Sequence, residues 1–306
     1  MNGIIIIDKP QGWTSFDVIA KLRGALHERR LGHGGTLDPM ATGVLPVFVG
    51  RAAKAADMLP DSEKRYTARV KMGIRTDTGD ITGSVTQRSD ARCTRDELER
   101  AARGFLGEQL QVPPMYSAIK IDGRRLYDLA REGKSVERQA RPIEIYSLAV
   151  TDFDEAAGEF ALDVRCSKGT YVRTLAEDIC AAAGCLGTLS ALRRTASAGF
   201  DISRAMPLDE VLRVAESGTI QDILLPIDGA FSSLRPVTLN DNLARLFLNG
   251  FAFEAHRLPI TAHEGERLRI YDAQGFVGIG ECRDGTLKKL KQLREPQQGG
   301  ERGVNG

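Results

Sequence analysis

The chain contains 306 residues, of which 42% are apolar and 27% charged, and its formal net charge at pH 7 is only +1. This composition is that of an ordinary soluble globular protein, and the length predicts about two domains. The near-zero total excludes any argument for nucleic-acid binding from net charge, so the distribution of basic residues along the chain has to decide that question.

The first predicted element is a strand. Residues 3–7 read GIIII and are followed at once by Asp8. Four isoleucines are too few for the core of a signal peptide or for a membrane span, so we expect a buried strand. Thr14 or Ser15 can then cap a helix that has its apolar positions on one face and ends before Arg29.

The segment at residues 31–46 has a composition unlike that of a core element. It contains four glycines, two prolines, His33 and a single acid, Asp38. Its glycines allow positive φ or the close approach of another segment, and Pro39 disfavours the helical conformation at Asp38. Residues 44–50 predict a short buried strand. We therefore expect a loop that presents Asp38 from a rigid support, as a catalytic carboxylate requires.

Two other functions of this segment have to be considered. The glycines do not form a dinucleotide-binding fingerprint, because Leu37 stands where that pattern needs its third glycine, and the Lys-Ser/Thr pair of a Walker motif is absent. The carboxylate of Asp38 could instead cap a turn, as an aspartate before proline often does. Composition alone leaves that alternative open.

The middle of the chain predicts strands and helices in alternation. Residues 66–72 alternate as a half-buried strand does, so Tyr66 lies on a sheet, where an aromatic residue is usually part of the core. Thr94 and Glu97 form a capping box that opens a helix. Further strands are expected at residues 143–152 and 160–166, and residues 170–183 predict a short entry followed by a helix.

Residues 113–141 differ from the rest of the chain in charge. They contain seven basic and four acidic residues, a local charge of +3, and Tyr116 and Tyr127 lie among them. Basic side chains interleaved with aromatic ones suit the phosphates and bases of RNA, although a solvated surface helix would look similar. We interpret residues 110–142 as an insertion on the first domain and call them the thumb.

The C-terminal part predicts a second, smaller unit. Helices at residues 207–217 and 241–248 are followed by short, closely spaced strands from residue 267 onward, a pattern typical of a small β-barrel. Four basic residues and no acid lie between residues 288 and 294. Residues 297–306 are rich in glycine and glutamine and predict a disordered tail.

The cysteine and histidine content argues against a metal site. The five cysteines are odd in number and include no Cys-x-x-Cys spacing, and the four histidines do not pair with them in a zinc pattern. We therefore expect a protein of the reducing cytoplasm that holds no structural metal. The cysteines are Cys93, Cys166, Cys180, Cys185 and Cys282.

Several segments resemble a known family. Residues 35–46 read GTLDPMATGVLP and resemble throughout the signature of the B-type pseudouridine synthases, the family of the bacterial tRNA pseudouridine-55 synthases. The resemblance covers about three quarters of the chain, and four further segments carry it in the same order. These segments are IDKPQGWTS at 7–15, KRY at 64–66, PPMYSA at 113–118 and SKGTYVRT at 167–174.

The resemblance implies an α+β fold with two domains. A pseudouridine-synthase catalytic domain, which has a mixed and largely antiparallel sheet flanked by helices, would span residues 1–234 and carry the thumb. A small β-barrel-like domain of the PUA type, which binds RNA, would span residues 235–296.

The resemblance also implies the roles of the site residues. Asp38 would be the catalytic carboxylate, as a nucleophile at the sugar or at the base or as a proton relay, and the sequence leaves these three roles open. Arg173 would hold that carboxylate ionised and oriented through a two-pronged contact. Tyr66 would stack on the uracil ring and take part in proton transfer from C5. The expected substrate-binding residues are His33, which would fill the space of the displaced nucleotide, and Tyr171, Leu192, Lys9, Lys120 and Lys168.

The implied reaction is the isomerisation of the T-loop uridine at position 55 of tRNA to pseudouridine. The base would be flipped out, and its glycosidic bond would be cleaved and formed again at C5, which requires no cofactor and no metal. We expect a cytoplasmic monomer that has no membrane contact and that also assists tRNA folding. Two alternatives are a tRNA-folding chaperone in which catalysis is secondary, and a glycosidase of free nucleosides, which would have no use for the thumb or the second domain.

Overall fold

The computed structural model describes residues 1–60 and 63–294, which form two main sheets with helices packed on them. The helices are α1 Ser15–Leu26, α2 Arg95–Arg103, α3 Leu126–Arg131, α4 Val172–Ala182, α5 Leu208–Glu216 and α6 Asp241–Asn249. No helix in this part of the chain has the length and apolar character needed to cross a membrane.

The strands are numbered in chain order. They are β1 Gly3–Lys9, β2 Leu31–His33, β3 Thr42–Val49, β4 Lys64–Met72, β5 Ile74–Thr76, β6 Val85–Arg88, β7 Gly107–Gln111, β8 Lys120–Ile121, β9 Arg124–Arg125, β10 Arg141–Asp154, β11 Glu159–Cys166, β12 Gly187–Ser197, β13 Phe200–Asp201, β14 Met206–Pro207, β15 Arg235–Thr238, β16 Phe253–Glu254, β17 Arg267–Asp272, β18 Gly275–Arg283 and β19 Thr286–Gln292.

The large sheet has ten strands. Its order is β14-β1-β3-β12-β4-β11-β10-β7, with β2 paired to β3 and β13 paired to β12. The pairs β1 with β14 and β3 with β12 are parallel, and the other pairs are antiparallel. This arrangement confirms the predicted α+β class with a mixed and largely antiparallel sheet. It also puts β4 and β12, which carry Tyr66 and Leu192, side by side near the middle of the sheet.

Local capping chemistry explains where two helices begin. The Thr14 hydroxyl accepts a hydrogen bond from the Asp17 amide, and the Asp17 carboxylate accepts one from the Thr14 amide, so α1 starts with a capping box. Thr94 and Glu97 form the same box at α2, as predicted. In the segment 170–183 the helix starts at Val172, after the short entry that the sequence predicts.

The thumb is built from short elements. It contains the end of β7, the two-residue strands β8 and β9, and α3, which anchors itself through Leu126 and Leu129. Most of its charged side chains are exposed. Because little of the thumb is buried, its conformation depends on few apolar contacts, which is typical of a segment that adapts on binding.

The second sheet has the strand order β15-β17-β18-β19-β16 and packs against α6. It is joined to the large sheet by apolar contacts, because Ile279 and Leu293 lie in one buried cluster with Ile4, Phe48 and Phe231. The two sheets therefore share part of their hydrophobic core. The tail predicted to be disordered, residues 297–306, lies outside the described residues.

Two of the five cysteines lie side by side. Cys93 precedes α2 and Cys185 follows α4, and their Cα atoms are 6.1 Å apart. The two residues are 92 positions apart, so only the packing of the two helices brings them together and no spacing rule could predict it. The other three cysteines are free and buried.

Candidate active site

The loop that carries Asp38 is fixed by hydrogen bonds to the start of α1 and to the turn that follows β1. The Leu37 amide donates to the Ser15 hydroxyl over 2.8 Å, and the Gly12 amide donates to the Pro39 carbonyl over 2.8 Å. The Ala41 amide closes a turn by donating to the Asp38 carbonyl over 3.1 Å. The residues on both sides of Asp38 are thus held by the Ser15 hydroxyl and the Gly12 amide, which provides the rigid support expected for this loop.

Lys9 lies beneath this loop. Its ammonium group donates to the carbonyls of Trp13 at 2.6 Å, Pro10 at 2.8 Å and Pro39 at 3.4 Å. Burial lowers the pKa of Lys9 to about 8. The side chain has no exposed surface and supports the Asp38 loop through the Pro39 carbonyl, and its expected contact with substrate stays a prediction.

Arg194 supports the Asp38 loop and was not among the predicted site residues. This fully buried guanidinium donates to the carbonyls of Val44 at 2.8 Å, Gly35 at 3.1 Å and Thr36 at 3.3 Å, and so ties the Asp38 loop to β12. A strand alternates its side chains, and its neighbour Arg193 points the other way. That alternation was the signal that one arginine of the pair had to face the interior.

Arg173, at the start of α4, forms an ion pair with Asp38. Its Nε lies 3.0 Å from Oδ2 of the carboxylate, and the arginine side chain is 5% exposed against 36% for Asp38. The two terminal nitrogens donate instead to the carbonyls of Thr78 at 2.6 Å and Tyr116 at 2.7 Å. Nη1 and Nη2 thus each have a backbone carbonyl partner, and the predicted two-pronged contact with Asp38 stays a prediction.

Five predicted site residues line one cavity of about 290 Å³, close to the lower end of the range for small-ligand sites. They are Asp38, Tyr66, Tyr171, Arg173 and Leu192. Gln111 holds Tyr171 in place, since its side-chain oxygen accepts from the Tyr171 amide over 2.8 Å and its nitrogen donates to the Tyr171 carbonyl over 3.1 Å. The structure thus assembles an acid, a cation, two aromatic rings and an apolar wall around one space.

Tyr66 and Leu192 form the buried side of the cavity. Both side chains belong to the main apolar cluster, and Tyr66 is the cross-strand partner of Arg194. Burial raises the pKa of Tyr66, so its hydroxyl stays protonated near neutral pH and remains a proton donor. A phenol and a carboxylate that line the same cavity are a suitable pair for proton transfer.

The remaining predicted residues lie elsewhere. His33 ends β2, where burial lowers its pKa and favours the neutral ring, and it does not line the cavity. Lys120 is exposed on β8 in the thumb, and Lys168 is exposed in the turn before α4, next to Gly169 at the edge of the cavity. Their predicted contacts with substrate stay predictions.

Lys64 lines the same cavity and was not among the predicted site residues. It lies two positions before Tyr66 on β4, so the two side chains share one face of the sheet. Burial lowers the pKa of Lys64 to about 8. The alternation along β4 was sufficient to find it.

No group of three or more metal-ligating side chains occurs in the described part of the chain. The cavity instead offers a carboxylate held by a buried guanidinium, with a protonated phenol nearby. Such a set can attack or deprotonate a neutral substrate without an added electrophile.

Three family models match consecutive parts of the chain. Residues 23–172 match the N-terminal domain of the TruB family pseudouridylate synthases, and residues 173–232 match the C-terminal domain of tRNA pseudouridylate synthase B. Residues 236–289 match the C-terminal region of TruB, described as pseudouridine synthase II. The three matches together cover most of the chain in the order of the family.

Relatives are similar over nearly the whole length. The tRNA pseudouridine synthase B of Alkaliphilus oremlandii is 41% identical over 298 residues, which cover 96% of this chain and 98% of the relative. The enzyme of the same name from Shewanella pealeana is 38% identical, with 97% of each chain covered.

Two solved structures share the fold. A chain in the crystal structure of a Cbf5-Nop10-Gar1 complex has a TM-score of 0.75 at 23% identity and covers 95% of this chain and 85% of its own length. A chain in an H/ACA RNP bound to a substrate RNA containing 2'-deoxyuridine has a TM-score of 0.74 at 22% identity and covers 97% and 86%. At this identity the likeness shows the fold alone, whereas the full-length matches above show that the chain belongs to the TruB family of pseudouridylate synthases and is an isomerase of that class.

Proposed function

We propose that this protein converts the T-loop uridine at position 55 of tRNA to pseudouridine, and that it acts in the cytoplasm as a monomer. The observation that carries the proposal is the Asp38 carboxylate, paired with the buried Arg173 at 3.0 Å inside a cavity that also holds Tyr66. The names of the full-length relatives support tRNA as the substrate. The position in tRNA and the roles below rest on this geometry and on the sequence signature.

The size of the cavity supports base flipping. A uridine stacked in an RNA loop cannot reach a carboxylate that lies in a cavity of about 290 Å³, so the nucleotide has to leave its stack. Tyr66 and Tyr171 line the cavity that would receive the ring, and stacking on an aromatic side chain is worth on the order of 1–3 kcal/mol per base. This interaction offsets part of the energy lost by unstacking.

Asp38 then acts on the glycosidic bond. The bond from N1 of uracil to the ribose breaks, the ring turns, and C5 bonds to the same ribose carbon, while the proton lost from C5 is balanced by one gained at N1. Arg173 holds the carboxylate in place, and the Tyr66 oxygen accepts the proton from C5 while its own proton is passed on, so that the net proton transfer is from C5 to N1. The role of Asp38 as nucleophile or as proton relay is compatible with this geometry in either form.

Two surfaces would bind the rest of the tRNA. The thumb carries exposed cations, among them Lys120, close to the cavity wall formed by residues 117–119. The second sheet carries the basic run at 288–294 on β19 and beyond, and residues 235–296 would form the RNA-binding domain. Because phosphate contacts supply most of the affinity in such interfaces, both surfaces act on binding and leave the chemical step to the cavity.

Product analysis on tRNA transcripts tests the proposal. The purified protein is incubated with an unmodified tRNA transcript, and nucleosides are identified by mass spectrometry after digestion and by position mapping. We expect pseudouridine at position 55 only, and none in a matched transcript that carries cytidine there. Unchanged uridine in a stable complex would indicate a folding chaperone, and free uracil would indicate a glycosidase.

A further inference from the structure

Lys64 is a cation at the wall of the cavity that none of the interactions so far explains. Its side chain points to the same side of β4 as Tyr66, and its Nζ lies 3.4 Å from the point where a Cβ would stand on Gly35. Gly35 has a φ of +110°, so the loop before Asp38 passes directly over this ammonium group. The lysine is therefore held between β4 and the catalytic loop.

No carboxylate among residues 1–60 and 63–294 forms an ion pair with Lys64, and no acceptor hydrogen-bonds to it. The nearest charges increase the cost of its burial. Nη1 of Arg194 lies 3.7 Å from the same Gly35 point, Lys168 adds a further positive charge, and Cys166 is a neutral thiol because burial raises its pKa to about 11.

Lys64 and Arg194 differ in how their donors are used. The fully buried Arg194 uses Nε, Nη1 and Nη2 on the carbonyls of Val44, Thr36 and Gly35, so its hydrogen-bonding capacity is largely occupied. Lys64 is half-buried at the cavity wall, and within the described residues no acceptor takes its N–H donors. A half-buried cation that has lost part of its hydration gains from an acceptor, and a ligand in the cavity can supply one.

We propose that Lys64 is a further catalytic residue, which donates a hydrogen bond to a carbonyl oxygen of the flipped uracil and stabilises the negative charge on that ring when its bond to the ribose breaks. The inference rests on the proposed function. When N1 separates from C1′, both electrons of the bond stay with the base and spread over N1, O2 and O4. The ammonium group keeps its proton and contributes charge, and the electron pair returns to a new bond when C5 attacks C1′.

The test compares three forms of the full-length protein on the same tRNA transcript: the wild type, Lys64→Met and the matched control Lys71→Met. Lys71 lies on the same strand and faces solvent. Single-turnover rates are measured at saturating enzyme, together with the Kd for tRNA. Loss of a preorganised charge in a closed site lowers the rate by about 10²–10³-fold, so we expect that loss in Lys64→Met with Kd within about 3-fold, and no change in Lys71→Met.

A substrate variant separates charge stabilisation from positioning. Fluorine at C5 withdraws electrons and stabilises the uracil anion by itself, so the rate loss of Lys64→Met in consuming the target nucleoside should be about 10-fold smaller on a transcript with 5-fluorouridine at position 55. Equal losses on both transcripts, or a loss confined to Kd, would overturn the proposal. A wild type that forms no pseudouridine at all would instead contradict the proposed function.

Thermal unfolding distinguishes a catalytic lysine from a structural one. Replacing a structural lysine lowers the melting temperature, whereas replacing Lys64 should not. Because the pKa of Lys64 is lowered from 10.5 to about 8, the folded state loses stability by keeping this group charged below pH 8, and it recovers that stability as the pH rises from 8 towards 10.5. Lys64→Met should melt at or above the wild-type temperature at pH 7, with the difference shrinking at pH 9.5. A clearly lower melting temperature would mark Lys64 as a structural contact and overturn the proposal.

Discussion

The Asp38 cavity and the thumb are built in opposite ways. In the cavity, charged side chains are buried and tied to backbone carbonyls, as Arg173 is to Thr78 and Tyr116. In the thumb, the charged groups are exposed and pair with each other, as Glu132 does with Lys134 at 2.8 Å and with Arg124. Exposed pairs contribute little to stability, so a phosphate can replace one partner at low cost. The contrast indicates that the chemical step depends on charged groups held in one position. Binding of RNA depends on exposed charged groups that can exchange a protein partner for a phosphate.

The largest effect is expected at the carboxylate. Asp38→Asn keeps the shape of the side chain and removes its charge, so the single-turnover rate should fall by about 10⁴-fold or more, while the Kd for tRNA changes by less than about 3-fold. Rapid-quench assays and filter binding measure the two quantities. A variant that loses tRNA binding as strongly as turnover would show that the cavity also supplies binding affinity. The division between a catalytic cavity and a binding thumb would then be wrong.

Arg173→Lys should have the next largest effect. An ammonium group is a point charge and cannot serve the carboxylate and two carbonyls from one planar fork, so the rate should fall by about 10²–10³-fold. The buried carbonyls left without a donor should also lower the free energy of unfolding by about 1–3 kcal/mol. Urea unfolding of the variant measures this change in the free energy of unfolding. Full activity with wild-type stability would exclude Arg173 as the partner of Asp38.

His33 tests the contrast between the Asp38 cavity and the thumb from another direction. It lies on β2 of the large sheet, yet its predicted role is to displace the nucleotide and not to act in the chemical step. If its ring fills the gap left by the flipped base, His33→Ala should slow single turnover by about 10-fold on a folded T-arm. On a short unstructured RNA with the same uridine, little stacking has to be broken and the loss should be about 2-fold. Equal losses on both RNAs would assign His33 to the chemistry or to the loop.

The smallest effect is expected in the thumb. Lys120→Ala combined with Arg131→Ala should weaken tRNA binding by about 5-fold at 0.1 M salt and flatten the dependence of log Kd on log salt by about 1–2, with the rate at saturating enzyme unchanged. Arg100→Ala with Arg103→Ala, two exposed positions on α2, is the matched control. If the single-turnover rate changed while the slope of log Kd against log salt did not, the thumb would have a role in catalysis and not in binding.

The sequence predicted what local chemistry determines. The cap at Thr14, the capping box at Thr94, the alternation of β4 and the constrained loop at Asp38 all depend on residues within a few positions of each other. The proximity of Cys93 and Cys185 was not accessible in this way, because it depends on how distant elements pack. Nor were the carbonyl partners of Arg173, since a carbonyl is present at every residue and carries no signature in the sequence.

The three contacts of Arg173 also bear on the order in which the protein folds. Two of its acceptors lie 57 and 95 residues away along the chain, and the third is on the Asp38 loop. The guanidinium is satisfied only after three separate loop closures, each with its own entropic cost. The active centre should consequently be among the last parts to form and the first to open. In rising denaturant, activity should disappear before the helical circular-dichroism signal does.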